Sequence, residues 1–252
     1  MLGEAKRIYL ATRKRHDQVF NTYFMRPIAG LAVAVLARTP ATPNQVTLLS
    51  LVFCVAACAC FVLLPSFVGS LVAVLVLELS YLFDCCDGML ARHKKIASKE
   101  GHLFDFFTDE LKATLLVTAL GLRLWRTGGW AIDGSTWPAG APHFLVAGML
   151  GVAIVASAIS LTNFVRRPEL TGKETPVEAH YETLEQKKPA SPVGRVAELV
   201  MTFLRFLNHY PSHIWLFAAL GRLDVFFWIY VVNNSLYLAR GWLGLMLRFA
   251  RA

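Results

Sequence analysis

Long apolar runs separated by short polar segments make up most of this chain. Each run has about the 20 residues that an α-helix needs to cross the hydrocarbon core of a bilayer, and prolines or charged residues mark its ends. The pattern therefore predicts an all-α integral membrane bundle of six transmembrane helices. The predicted spans are residues 43–64, 66–91, 100–122, 143–165, a fifth within 197–221, and 224–247.

Local sequence signals set the ends of these spans. Thr42 is a suitable N-cap for the first span, and Pro43 fits the first helical position. Residues 212–221 alone are too short to cross a membrane, so we expect the fifth span to begin near residue 197 and to kink at Pro211. The polar, proline-rich stretch 166–194 predicts a loop with one short helix at most.

Residues 1–42 form a separate amphipathic segment. Basic residues at positions 6, 7 and 13–15 alternate with apolar side chains such as Ile8, Phe20 and Leu31. A helix or a pair of helices over 4–38 with this pattern is expected to lie along the membrane interface. The segment lacks the apolar core of a signal peptide. We therefore divide the chain into an N-terminal amphipathic interfacial segment, 1–42, and a six-helix membrane domain, 43–252.

The composition agrees with a membrane protein. Hydrophobic residues make up 56% of the 252 positions and charged residues 17%, whereas a soluble domain has about 45–50% and about 25%. The net charge of +8 comes from basic residues that flank apolar spans, which indicates contact with anionic lipids and not with nucleic acid. The five cysteines lie inside apolar segments without a CxxC pair, so we expect buried thiols and no disulfide.

The distribution of Lys and Arg predicts the orientation in the membrane. With six spans and a cytoplasmic N-terminus, the outer segments contain only Arg123, Arg126 and Arg222, and most other basic residues fall on the inner side. Positively charged loops stay in the cytoplasm. Both termini are therefore expected to be cytoplasmic.

Four aspartates stand out because carboxylates inside apolar spans are costly. Asp84 and Asp87 share one face of the second span, and Asp105 and Asp109 share one face of the third. The short basic loop 93–99 joins the two helices in antiparallel fashion, so the faces can meet near the cytoplasmic side. Four carboxylates in one small volume cannot all ionise without cations.

Hard divalent cations with oxygen ligands meet this requirement, and Mg²⁺ or Mn²⁺ fits best. A pair of such ions bound by carboxylates suits phosphoryl chemistry, because it neutralises phosphate charge and activates an oxygen. Gly88 on the aspartate face lets a ligand approach the backbone closely. Arg92, four residues further on, can bind a pyrophosphate oxygen.

The spacing of these residues resembles the signature of the CDP-alcohol phosphotransferase (CDP-alcohol phosphatidyltransferase) family, D-x2-D-G-x2-A-R-x8-G-x3-D-x3-D. All eight fixed positions are filled at the right spacing. They are Asp84, Asp87, Gly88, Ala91, Arg92, Gly101, Asp105 and Asp109. The segment Thr42–Thr47 also looks like this family, more weakly, and the close resemblance covers about residues 40–125.

The resemblance implies a six-helix bundle, usually a homodimer, with an active site open to the cytoplasmic leaflet. It implies that Asp84, Asp87 and Asp105 hold two divalent metal ions. Asp109 would also bind metal and would act as the base on the acceptor hydroxyl. The residues implied to line the CDP pocket are Gly88, Ala91, Arg92 and Gly101, to which we add Asn44. The acceptor would attack the outer phosphorus of the CDP-linked donor, and CMP would leave.

Two substrate classes stay open within this family. We expect CDP-diacylglycerol as donor and a polar hydroxyl acceptor, because a basic cytoplasmic rim attracts anionic acceptors. The candidate acceptor-binding residues are Lys112, Arg166 and Arg167. The alternative is transfer from a CDP-choline or CDP-ethanolamine type of donor to diacylglycerol, which would need an aromatic cage for the ammonium group. Some family members carry a nucleotidyltransferase domain, and since we see none here, we expect the chain not to make its own donor.

Two other classes of membrane protein also use buried carboxylates. An intramembrane prenyltransferase would need two separate Asp-rich motifs on distant helices, whereas this chain has one motif over two adjacent helices. A non-enzymatic ion transporter would place its site near the membrane midplane with broken helices. The aspartates here crowd towards one membrane face, which favours the phosphotransferase.

Overall fold

The fold is all-α apart from one very short hairpin. The computed structural model describes residues 2–13, 17–165, 167, 170 and 192–250. The predicted loop 166–194 lies almost entirely outside the described residues. All five cysteines are free, and four of them are buried, as their apolar surroundings in the sequence predict.

The N-terminal segment contains two helices that pack against each other. Helix α1 spans Leu2–Thr12, and a π-helical turn, Asn21–Met25, leads into α2, Arg26–Leu36. Gly30 allows the close approach of these helices, since a Cβ at this position would lie 3.0 Å from the Ala5 carbonyl oxygen. The sequence left one helix or a pair open here, and the structure has two; an amphipathic position at the membrane interface stays a prediction.

Helices α3, Pro43–Leu63, and α4, Phe67–Lys94, form the antiparallel pair at the centre of the fold. Thr42 caps α3 as predicted, and it forms a capping box with Gln45. Further along, Ser50 Oγ donates to the Ser80 carbonyl at 2.8 Å and Ser80 Oγ donates to the Ser50 carbonyl at 2.7 Å. These small, reciprocally bonded residues hold the two helices in close contact.

Helix α5, Lys99–Thr127, follows the short loop after α4 and runs beside α3. It is followed by the two-stranded antiparallel hairpin β1, Gly129–Trp130, and β2, Thr136–Trp137, which the sequence did not predict. Helix α6, His143–Val165, then packs on α5. A Cβ at Gly121 would lie 2.9 Å from the Gly148 Cα, so glycine is required at this crossing.

The last part of the chain is broken where the sequence predicts a kink. Helix α7 spans Pro192–Asn208, a 3₁₀ turn spans Tyr210–Ser212, α8 spans Ile214–Ala219, and α9 spans Leu223–Phe249. Pro211 sits inside the turn, where its missing N–H group costs no helical hydrogen bond. The fifth predicted span is therefore two separate helices that meet at a turn.

Three helices of the described chain, α3, α4 and α6, are long and apolar enough to cross a membrane. Their outward faces carry exposed large side chains such as Val52, Leu75 and Met149. Helix α5 has 29 residues and α9 has 27, enough at about 1.5 Å per residue to cover a bilayer core of about 30 Å. However, α5 includes the charged residues of the motif. Six spans stay a prediction.

Arg123 stabilises the end of the bundle opposite the motif. This residue of α5 is 5% exposed, and its guanidinium donates to the carbonyls of Phe61, Leu64, Pro65 and Ser66 at 2.9–3.1 Å. These carbonyls belong to the end of α3 and the turn into α4, and the last carbonyls of a helix have no N–H partner within that helix. The sequence indicates Arg123 only as an outer-side charge, and the structure shows that it caps a neighbouring helix.

Replacing Arg123 with Met is expected to lower the free energy of unfolding by about 2–4 kcal/mol, because several carbonyls lose their charged donor at once. Arg126→Met is the matched control. Arg126 also lies on α5, is exposed and donates only to the Val62 carbonyl in the described structure, so its loss should cost about 1 kcal/mol or less. Denaturant unfolding in mixed micelles measures both, and equal losses would contradict the capping role.

Candidate active site

The antiparallel arrangement of α4 and α5 brings three of the four motif aspartates together. One carboxylate oxygen each from Asp84, Asp105 and Asp109 lie within 4.8 Å of one another. Asp84 comes from α4 and the other two come from the first half of α5, one helical turn apart. Oxygen atoms at this separation, contributed by carboxylates, form a donor set that suits a hard divalent cation.

The carboxylate of Asp87 is held by α3. Its Oδ2 accepts a hydrogen bond from Thr47 Oγ1 at 2.6 Å, and its Oδ1 accepts from the Gly88 backbone N–H. Asp87 is 3% exposed, and it is not in the group of three oxygens described above. The four-carboxylate cluster predicted from the sequence is therefore three converging carboxylates with a fourth that is fixed by Thr47.

Lys112 lies inside the aspartate cluster. It is one turn past Asp109 on α5 and is 2% exposed. Its Nζ forms ion pairs with Asp84 Oδ1 and, at 3.1 Å, with Asp109 Oδ1. From the sequence, Lys112 is a candidate either to bind the acceptor or to pair with Asp109 or Glu110. The structure shows the pairing with Asp109 and adds the contact with Asp84, which links the two helices.

The residues expected to line the CDP pocket lie at the start of α3, near the end of α4 and in the first turn of α5. A Cβ at Gly88 would lie 3.5 Å from Arg92 Nη1, so the guanidinium lies over the glycine. A Cβ at Gly101 would lie 3.2 Å from Asn44 Oδ1, so the first turn of α5 adjoins the start of α3. Ala91 is half-buried on α4 between these features. Their role in CDP binding stays a prediction.

Of the two arginines expected to bind the acceptor, only Arg167 lies within the described residues. Arg166 lies outside the described residues. Arg167 lines a cavity of about 520 Å³ between α5 and α6, together with Glu110 and Asn163. Within it, Asn163 Nδ2 donates to Glu110 Oε1 at 2.8 Å. Glu110 lies about 100° around α5 from Asp109. The cavity that Arg167 lines is therefore on a different side of α5 from the aspartate cluster.

A polar network on α4 was not predicted from the sequence. Tyr81, three residues before Asp84, donates from its hydroxyl to Asn21 Oδ1 at 2.6 Å and lies 2.7 Å from His209 Nε2. Asn21 in turn bonds Asp17, which pairs with the buried Arg26 of α2. The N-terminal segment and the turn at Pro211 are therefore both tied to the helix that carries Asp84. Their residues are far apart in sequence, so no spacing signal could indicate these contacts.

The fold and this site match one known family. Residues 40–230 match the family described as CDP-alcohol phosphatidyltransferase. The chain therefore belongs to the CDP-alcohol phosphatidyltransferase family, whose members transfer a phosphatidyl group from a CDP-alcohol to an acceptor and use divalent metal ions. The resemblance drawn from the motif is confirmed, and the apolar helices agree with a membrane enzyme of phospholipid biosynthesis. No curated protein matches the chain.

Thr47 is expected to matter for activity because it holds the Asp87 carboxylate. Thr47→Val keeps the shape but removes the donor, and the loss of such a supporting hydrogen bond typically lowers activity about 10–100-fold. Thr47→Ser keeps the hydroxyl and should retain most activity. Release of CMP from a CDP-linked donor measures both variants. A wild-type rate for Thr47→Val would show that this hydrogen bond does not serve catalysis.

Proposed function

We propose that this protein transfers a phosphatidyl group from CDP-diacylglycerol to the hydroxyl group of a polar acceptor and releases CMP. The observation that carries the proposal is the convergence of the Asp84, Asp105 and Asp109 oxygens within 4.8 Å between apolar helices. Carboxylates are gathered in such surroundings for a function and not for stability. Membership of the family supplies the type of reaction.

Two divalent ions, Mg²⁺ or Mn²⁺, are proposed as cofactors. The donor set consists of carboxylate oxygens, as these ions require, and the net charge of three neighbouring aspartates with one lysine is negative. Asp84, Asp105 and Asp109 would hold them, with Asp87 held by Thr47 as a further ligand. When bound, such ions neutralise the pyrophosphate and stabilise the charge that develops on the leaving oxygen.

The residues of the chain have separate roles in the proposed reaction. Arg92, placed over Gly88, would bind the pyrophosphate of the donor, and Asn44 beside Gly101 would contact the nucleotide. Asp109 would take the proton from the acceptor hydroxyl, whose oxygen attacks the outer phosphorus. The bond from that phosphorus to the CMP oxygen breaks, and CMP carries away the electron pair. Asp109 suits this role because its side chain is 51% exposed and within reach of an acceptor.

The choice of CDP-diacylglycerol as donor rests on how each substrate would reach the aspartates and on the charges around them. A lipid donor reaches the aspartates from the membrane side of α3 and α4, while a polar acceptor arrives from the cytoplasm. Two lysines of the basic rim already have protein partners: Lys94 Nζ donates to the Thr39 and Ala41 carbonyls at 2.9 Å, and Lys112 is paired with aspartates. A cage for a quaternary ammonium is a weaker proposal, since the Tyr81 hydroxyl and ring are engaged by Asn21 and His209.

The proposal includes the arrangement in the membrane. The site would face the cytoplasm, with both termini on the same side, because most basic residues flank that end of the spans. The functional unit would be a homodimer, as the family resemblance implies. Membrane lipids would surround the exposed apolar faces of α3, α4 and α6.

Purified protein in lipid nanodiscs should release labelled CMP from CDP-diacylglycerol when a suitable polar acceptor is present. Mass spectrometry of the lipid product over a panel of hydroxyl acceptors would identify the acceptor. Activity should vanish in EDTA and return with Mg²⁺ or Mn²⁺, because the pyrophosphate and the carboxylates repel each other without cations. Transfer from CDP-choline to diacylglycerol, with none from CDP-diacylglycerol, would refute the donor. Full activity in EDTA would refute the metals.

Asp109→Asn should lower the turnover number about 10²–10⁴-fold, because an amide cannot accept the acceptor proton, while donor binding should be spared more than turnover. Asp84→Asn should weaken metal and donor binding together, because it removes a metal ligand. Calorimetric donor affinity and turnover number, measured for each variant, separate the two effects. If Asp109→Asn loses donor binding as fully as Asp84→Asn does, Asp109 is chiefly a metal ligand and the base is another group.

A further inference from the structure

Lys112 is the most deeply buried charge among the residues that meet at the aspartate cluster. Its side chain is 2% exposed, against 17% for Asp84 and 51% for Asp109. It lies one turn further along α5 than Asp109, on the side of the cluster away from the cytoplasm. An ammonium group in such a place needs carboxylate partners at all times, because a buried unpaired charge is strongly destabilising.

Lys112 binds one oxygen of each of two carboxylates. The ammonium contacts Oδ1 of Asp84 and Oδ1 of Asp109. Each of these carboxylates has a second oxygen that does not bind Lys112. A metal ion held by these carboxylates would therefore share both of them with the ammonium and would lie close to its charge.

We propose that Lys112 is a permanent counter-cation of this site. Its ammonium group holds Asp84 and Asp109 in place when no metal ion is bound, and it weakens the binding of a metal ion. The inference rests on the proposed metal site. It differs from acceptor binding, since a lysine used in this way contacts carboxylates and not substrate. Lys112 is also outside the eight fixed positions of the family signature.

Two opposite effects follow from removing the charge of Lys112. Without the ammonium, the three carboxylates repel each other in the metal-free protein, which becomes less stable. The divalent ion, in contrast, no longer faces a positive charge close by and binds more tightly. If Lys112 only supported the fold, its removal would lower stability without tightening metal binding. If it only bound the acceptor, its removal would change neither stability nor metal affinity in the absence of acceptor.

The test compares Mn²⁺ affinity in detergent-solubilised full-length protein without donor or acceptor, by calorimetry and by the electron paramagnetic resonance signal of free Mn²⁺. Lys112→Gln should bind Mn²⁺ about tenfold more tightly than wild type. Lys112→Arg keeps the charge and should bind like wild type. Arg126→Gln removes a cation from the exposed far end of α5 and serves as the control, with no change expected.

A second measurement covers the case in which Lys112→Gln is unstable. The variant is purified with Mn²⁺, and its melting temperature is recorded in Mn²⁺ and in EDTA. Mn²⁺ should raise the melting temperature of Lys112→Gln more than that of wild type or Lys112→Arg. Equal or weaker Mn²⁺ binding by Lys112→Gln, or an equal rise in melting temperature, would overturn the inference. If wild type and all variants bind no Mn²⁺, the metal site itself is wrong.

Discussion

Asp84, Asp105 and Asp109 bring carboxylate oxygens to within 4.8 Å of one another between apolar helices, where water screens their repulsion poorly. Any arrangement that places them there must also provide positive charge. In the structure this charge comes from Lys112 within the cluster, and Arg92 lies close by over Gly88. The requirement for balancing charge agrees with the proposed cation-binding function, and the ion pair of Lys112 with Asp84 connects α4 and α5 through side chains as well as through packing.

The scaffold around the cluster is held at both ends by polar contacts between helices. Near the site, Thr47 binds the Asp87 carboxylate, and the Ser50–Ser80 pair keeps α3 against α4. At the opposite end, Arg123 binds the carbonyls where α3 turns into α4. These contacts replace water as the partner of polar groups, as an apolar environment requires. They leave the outward helix faces free for apolar side chains.

The polar network at Tyr81 gives the N-terminal segment a structural connection to the site. Asn21 on the N-terminal side and His209 beside Pro211 both contact the Tyr81 hydroxyl. Tyr81 lies one turn before Asp84 on the same helix. The position of Asp84 therefore depends on three parts of the chain that are distant in sequence. The amphipathic segment is thus part of the support of the site, in addition to its predicted place at the membrane interface.

The sequence alone determined the helical class, the ends of α3 and α6, the break at Pro211 and the eight motif residues, because hydrophobic period, capping and spacing are local properties of the chain. Only the tertiary structure decided which side chains meet. It placed Thr47 against the Asp87 carboxylate, joined Lys112 to Asp84, and gave Arg123 carbonyl partners. These outcomes depend on how each helix is rotated and how closely it approaches its neighbour, and side-chain packing between distant segments sets both.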